Sequence, residues 1–149
     1  MHDDPLLPFI DPPPDDEIRL EVEKCRTLSG CAILKPCEPI SGNALNWLVE
    51  QTSKVIKAGF RMLIVDCSGL SYFGTPAFSY LIDLRKRLIA CGGSMVLLQT
   101  SAWVRGRLQL TGFESQFAFA DSAEAATEAI RKLMSGRPTP SEVWHRKGR

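Results

Sequence analysis

The sequence predicts an α/β fold: a mixed β-sheet that opens with a β-hairpin, continues as β/α units and has about four helices packed against it. Three observations predict it. The stretch "EIRLEVEKC" alternates with period two, and a Leu28-Ser29-Gly30 turn then leads to a second short apolar run. Two unbroken apolar runs, "MLIVD" and "SMVLL", have the length of strands covered on both faces. After the hairpin, each strand is followed by one segment of helical period, which favours parallel neighbours joined by right-handed crossovers.

In chain order, Ile18, Leu20 and Val22 alternate with charged residues, the pattern of a half-buried strand, and "CAILK" returns as its hairpin partner. Pro36 and Pro39 are expected to stop that ladder, because proline has no N–H to give it. "NALNWLVEQTSKVIKAG" places Leu45, Leu48, Val49, Val55 and Ile56 on one helical face. Ser41 or Asn43 is suited to cap its start, and Gly59 to end it in a left-handed conformation. "MLIVD" follows as an interior strand, then a helix from Thr75 to Ala90 ending before Cys91-Gly92-Gly93, then "SMVLL" as a second interior strand. "SAWVRGRLQLTG" reads as a short helix closed by Gly112, with Gly106 costing about 1 kcal/mol relative to alanine. "QFAFA" is a short last strand, and Asp121 with Glu124 makes a capping-box-like start to the helix "SAEAATEAIRKLM".

The 149 residues, 44% hydrophobic and 23% charged, suit one globular domain with tails. Residues 1–16, with five prolines and five aspartates, are expected to be a flexible acidic lead-in, residues 17–134 the domain, and residues 135–149 a flexible basic tail. A net charge of +1 gives no concentrated basic surface for nucleic acid. The apolar runs are too short to cross a bilayer, and the acidic start is the reverse of an export signal, so the expected compartment is the cytoplasm. Five cysteines without a CxxC, and two histidines at opposite ends of the chain, suggest neither a metal site nor a cofactor. Phosphoryl transfer to Asp66 would need further carboxylates to hold Mg²⁺, and none is apparent, so no catalytic residue is assigned.

Three segments resemble the STAS domains of bacterial anti-sigma factor antagonists: "MLIVDCSGLSYFGTPAFSYLIDLRKRL", "GGSMVLLQTSAWVRGRLQLTGF" and "FADSAEAATEAI". Asp66-Cys67-Ser68-Gly69 matches the family's D-L-S-G strand end, with Asp66, Ser68 and Gly69 as its motif residues. Val104-Arg105, Leu108, Leu110, Thr111 and Gly112 match V-R-x-x-L-x-L-T-G, and Asp121-Ser122 with Glu124-Ala125 nearly matches the acidic-Ser-x-x-Glu-Ala start of the last helix. The resemblance implies a non-enzymatic module that binds an anti-sigma factor, often a serine kinase, and so frees a sigma factor for transcription. It also implies that phosphorylation of a serine at a helix start breaks that complex. A phosphate adds about −1.5 to −2 charge there, which suits a helix N-terminus but can repel a docked partner.

The chain departs from the family at that serine. The family's Asp-Ser-Ser-Gly quartet falls on Gly74-Thr75-Pro76-Ala77, so Pro76 holds the acceptor's place. Glu38 stands near the carboxylate that family members often carry after the second strand. Thr75 has two readings, an N-cap with Pro76 at the first helical position, or a displaced phosphoacceptor. The cap is favoured, and Ser68, Ser71 and Ser79 lie off the family position. On the same helix Ala77, Leu81, Leu84 and Leu88 form one apolar stripe, and Phe78, Ile82 and Ile89 a second. The expected partner-binding residues are Thr75, Phe78, Ser79, Ile82 and Lys86, with Asp83, Arg85 and Arg87 as a polar rim. The rival reading on the same fold is an accessory subunit of an ABC-type membrane transport complex. Oligomeric state is not indicated by the sequence.

Overall fold

A computed structural model of the chain describes residues 19–37, 42–70, 75–112 and 117–135. Its strands are β1 (Arg19–Lys24), β2 (Cys31–Cys37), β3 (Met62–Asp66), β4 (Ser94–Leu98) and β5 (Ala118–Ala120). Its helices are α1 (Gly42–Lys57), α2 (Thr75–Ala90), α3 (Ala102–Leu110) and α4 (Ala123–Ser135), and a 3-10 turn spans Cys67–Gly69. The strands lie side by side in chain order in a single sheet. β1 and β2 pair antiparallel, and β2, β3, β4 and β5 pair parallel, so the predicted hairpin followed by β/α units is present.

Strand parity divides the core in two. Ala32, Leu34, Leu63, Val65, Met95 and Leu97 point to one face of the sheet, where they meet Trp47, Leu48 and Val55 of α1, Leu81, Leu84 and Leu88 of α2, and Val104 and Leu108 of α3. Cys31, Ile64, Val96 and Leu98 point to the other face and pack on Ala126 and Ile130 of α4. The three crossovers all step the same way across the sheet, so a single handedness puts α1, α2 and α3 on one side. Each fully buried leucine of α2 contributes about 2 kcal/mol by leaving water.

Two sequence expectations are corrected. Pro36 does not stop the ladder; it lies inside β2, opposite Leu20. Cys25 N–H donates to the Cys31 carbonyl, so odd-numbered residues of β2 turn their backbone groups toward β1 and even-numbered ones toward β3. The missing N–H of Pro36 therefore faces β3's side, where pairing has already ended at Leu34 and Val65. The start of α4 is also displaced by one residue. Ser122 Oγ, rather than Asp121, accepts the Ala125 N–H at 3.1 Å, and Ser122 O accepts from Ala126 N. Gly59, in contrast, closes α1 with φ of 110°, in the left-handed region predicted for it. Gly93 is required for another reason: a Cβ there would collide with the Arg61 carbonyl. Ser41, Glu38, the side chain of Asn43 and the two expected tails, apart from Ser135 at the end of α4, lie outside the described residues.

Periodicity gave no sign of the polar contact that joins α1 to α2. Thr52 Oγ1 and Tyr80 Oη lie 2.8 Å apart, and both residues are buried. Burial raises the Tyr80 phenol above its ordinary value, so it stays protonated, and either hydroxyl can donate to the other. Tyr80→Phe leaves the Thr52 hydroxyl buried without this partner, and urea unfolding should show a loss of about 1–3 kcal/mol. Adding Thr52→Val should recover part of that loss; a neutral Tyr80→Phe would mean that the contact contributes nothing.

Burial also sets a pH dependence. Desolvation pushes the thiols of Cys31 and Cys67 up to about 12 from an ordinary 9.0. Below pH 9 folded and unfolded chains both keep these protons, and the contribution to stability is constant. As pH rises from 9 toward 12 the unfolded chain releases protons that the folded chain retains, so stability falls. Denaturation at a series of pH values should show a shallower alkaline decline in Cys31→Ala and Cys67→Ala than in the parent, whatever their stability at neutral pH.

Candidate partner-binding face

The parallel strands bring several segments to one end of the sheet. The C-terminal ends of β2, β3 and β4 lie there with the N-terminus of β1, and α2 and α3 start from it. This is the end at which open α/β sheets usually present their sites.

Asp66 closes β3. Its Oδ1 accepts the Ser68 N–H at 3.0 Å, which caps the 3-10 turn, and Leu70 N–H returns to the Cys67 carbonyl at 2.9 Å. Cys67 points inward and its thiol donates to the Val65 carbonyl at 3.6 Å, while Ser68 is exposed. Gly69 has no room for a side chain: a Cβ would stand 2.9 Å from the Pro36 carbonyl and 3.1 Å from Cys37 Sγ. The turn is thus pressed against the end of β2. This arrangement positions the backbone and gives Asp66 a structural task.

α2 then presents two unlike sides. Ala77, Tyr80, Leu81, Leu84 and Leu88 are buried. At about 100° per residue, Ser79, Ile82, Lys86 and Ile89 share another side, on which Ile82 also packs against the edge of the core. Ser79 and Lys86 are exposed, Ile82 is half-buried and Ile89 is 49% exposed. Phe78, at the flank, is half-buried and packs against the core. Four of the five expected binding residues therefore fall on or beside one outward strip. Thr75 is the first residue of α2; its side chain and that of Pro76, with residues 71–74, lie outside the described residues, and so does any capping bond it makes. On the other flank Arg87 Nε donates to Asp83 Oδ2 at 2.6 Å, and its Nη1 donates to Ser53 Oγ on α1 at 2.9 Å. The charged rim thus also holds α2 to α1.

α3 carries a surface that the sequence reading did not single out. Ser101 Oγ caps it by accepting the Val104 N–H at 3.1 Å, after Gln99 turns the chain with φ of 56°. Val104 and Leu108 are buried, while Trp103 is 47% and Leu110 83% exposed. The Arg107 guanidinium lies 5.4 Å from the Trp103 ring, and Arg105 covers Phe119 at 4.1 Å. The spacing of Trp103, Arg107 and Leu110 at i, i+4 and i+7 was the available signal.

Among the described residues no three His, Cys, Asp or Glu side chains gather closely enough to hold a metal ion. No described helix is long and apolar enough to cross a membrane. The arrangement offers a firm backbone turn and an outward helical strip of mixed polarity, the chemistry of docking.

Comparison with known proteins bears on the family and the fold. The pattern of the STAS domain family matches residues 24–126. The chain is 31% identical over 94 residues to BtrV of Bordetella bronchiseptica, described as an anti-sigma factor antagonist; the match covers 63% of this chain and 80% of that one. The crystal structure of an anti-sigma factor antagonist from Mycobacterium paratuberculosis shares the fold with a TM-score of 0.65 at 20% identity, over 78% of this chain and 96% of that one. The antagonist SpoIIAA in its unphosphorylated form does so with a TM-score of 0.62 at 20% identity, over 77% and 96%.

Proposed function

Because the chain belongs to the STAS domain family, we propose that it works as an anti-sigma factor antagonist: a non-enzymatic cytoplasmic module that an anti-sigma factor, of the serine-kinase type, grips through the outward strip of α2. The observation that carries this reading is the placement of the exposed Ser79 and Lys86 on either side of Ile82, which is half-buried and packs against the edge of the core. A half-buried isoleucine beside a hydroxyl and a flexible cation gives a partner an apolar anchor with a polar rim. Phe78 extends the anchor at the edge of the core. Asp66, Ser68 and Gly69 set the turn from which the strip starts and are positioning residues.

The switch is the part that differs. Proline stands at the family's acceptor position, and the reading favoured here gives Thr75 the task of starting α2. Control by phosphate is then lost, or moved to Thr75. The relatives named above are antagonists, which favours this function over a subunit of a transport complex.

Ile82→Asp should weaken binding of the cognate anti-sigma factor by at least about tenfold, the equivalent of 1.4 kcal/mol. Ile82 and Phe78 are both half-buried and packed against the core, so Ile82→Asp and Phe78→Asp should each lower the melting temperature while leaving a folded protein, and Phe78→Asp should weaken binding further. Titration calorimetry with Lys57→Glu, at the exposed end of α1, supplies the control. Unchanged affinity in a folded Ile82→Asp protein would place the dock elsewhere. Phosphate on Thr75, found by mass spectrometry of protein from its native cell, would overturn the purely structural role given to that residue.

A further inference from the structure

Trp103, Arg107 and Leu110 form one exposed strip on α3, separate from the α2 strip, and Gly106 leaves open space beside them because no atom lies within 4 Å of its would-be Cβ. Arg107 lies on the strip and the helix has no acidic residue, whereas Arg105 is on another side of the helix, over Phe119. Such a strip suits an acidic segment with bulky apolar side chains: aliphatic and aromatic groups against the indole and Leu110, a carboxylate toward the Arg107 guanidinium. The chain has one such segment. Residues 1–18 include Leu6, Leu7, Phe9 and Ile10, flanked by Asp3, Asp4 and Asp11, with no Lys or Arg. The other end has the wrong sign, since Arg137, Arg146, Lys147 and Arg149 oppose a lone Glu142.

We propose that the Trp103–Arg107–Leu110 strip of α3 is the docking site of the chain's own N-terminal segment, with Leu6, Leu7, Phe9 and Ile10 as its anchors. The reach is sufficient. β1 begins at Arg19, at the end of the sheet from which α3 also starts. From β1 to the position of α3 is three to four strand spacings, about 14 to 19 Å, and one layer of about 10 Å. Eight residues, 11–18, separate the anchors from β1, and eight residues at about 3.1 Å each can reach about 25 Å. The contact is intramolecular, so its effective concentration lies in the millimolar range and even a weak fit is populated. It covers a surface distinct from the α2 strip and does not depend on the function proposed above.

The test is heteronuclear NMR on the full chain, reading the Trp103 indole N–H, assigned through Trp103→Phe, and the amides of Gly106 and Leu110. Leu7→Ser with Phe9→Ser should shift all three signals and leave the buried Trp47 indole where it was. Asp3, Asp4 and Asp11 changed together to Asn, or 0.5 M salt on the parent, should move them part of the way in the same direction. In reciprocal fashion, Trp103→Ala should shift the amides of residues 6–10. Absence of any α3 shift in the Leu7→Ser/Phe9→Ser protein overturns the proposal. So do shifts that grow with protein concentration, because they assign the strip to a second copy of the chain.

Discussion

Leu63, Ile64 and Val65 have no side turned to water. As the middle strand of the sheet, β3 is covered by α1 and α2 on one face and by α4 on the other, and this double burial constrains everything around it. A strand of that kind can carry no polar function along its length, so polar function moves to its end. There Asp66 turns the chain, Gly69 lets the turn press on the Pro36 carbonyl, and α2 sets off with one side committed to the core. The outward strip of α2 is the remainder of that commitment.

The α2 helix is held by groups that differ in kind. Leucines give it a non-directional hold on the sheet; the Thr52–Tyr80 contact fixes its rotation against α1, and the Arg87 fork to Asp83 and Ser53 ties its exposed flank. A hydrogen bond of the buried kind is costly to break, whereas the exposed ion pair contributes little on its own. A helix so held presents its outward residues in one orientation, so little ordering entropy remains to be lost in any contact they make.

Much of this was legible in the sequence, and the exceptions have physical reasons. The bounds of α2 and β4 were read as they stand, because an apolar run and a helical period each repeat often enough to outweigh local noise. The course of β2 past Pro36 was not, since whether a proline breaks a ladder depends on which neighbour its nitrogen faces, and that is set by register. The cap of α4 was misplaced by one residue because Asp121 and Ser122 are both good caps and only the backbone path chooses between them. The Thr52–Tyr80 contact joins residues far apart in the chain, and no local pattern encodes it. The α2 strip was visible as periodicity, while its division into buried and open sides needed the neighbouring α1.

The two rims of the sheet bear on how such a protein lives in a crowded cell. A protein with an open sheet must not polymerise through its own unpaired strands. β1, at one rim, turns Glu21, Glu23 and Lys24 to solvent, and β5, at the other, is three residues long. Charge on one border and brevity on the other deny a second sheet the flat, unpaired template that fibre growth requires. The molecule can therefore be abundant without being sticky along its strands.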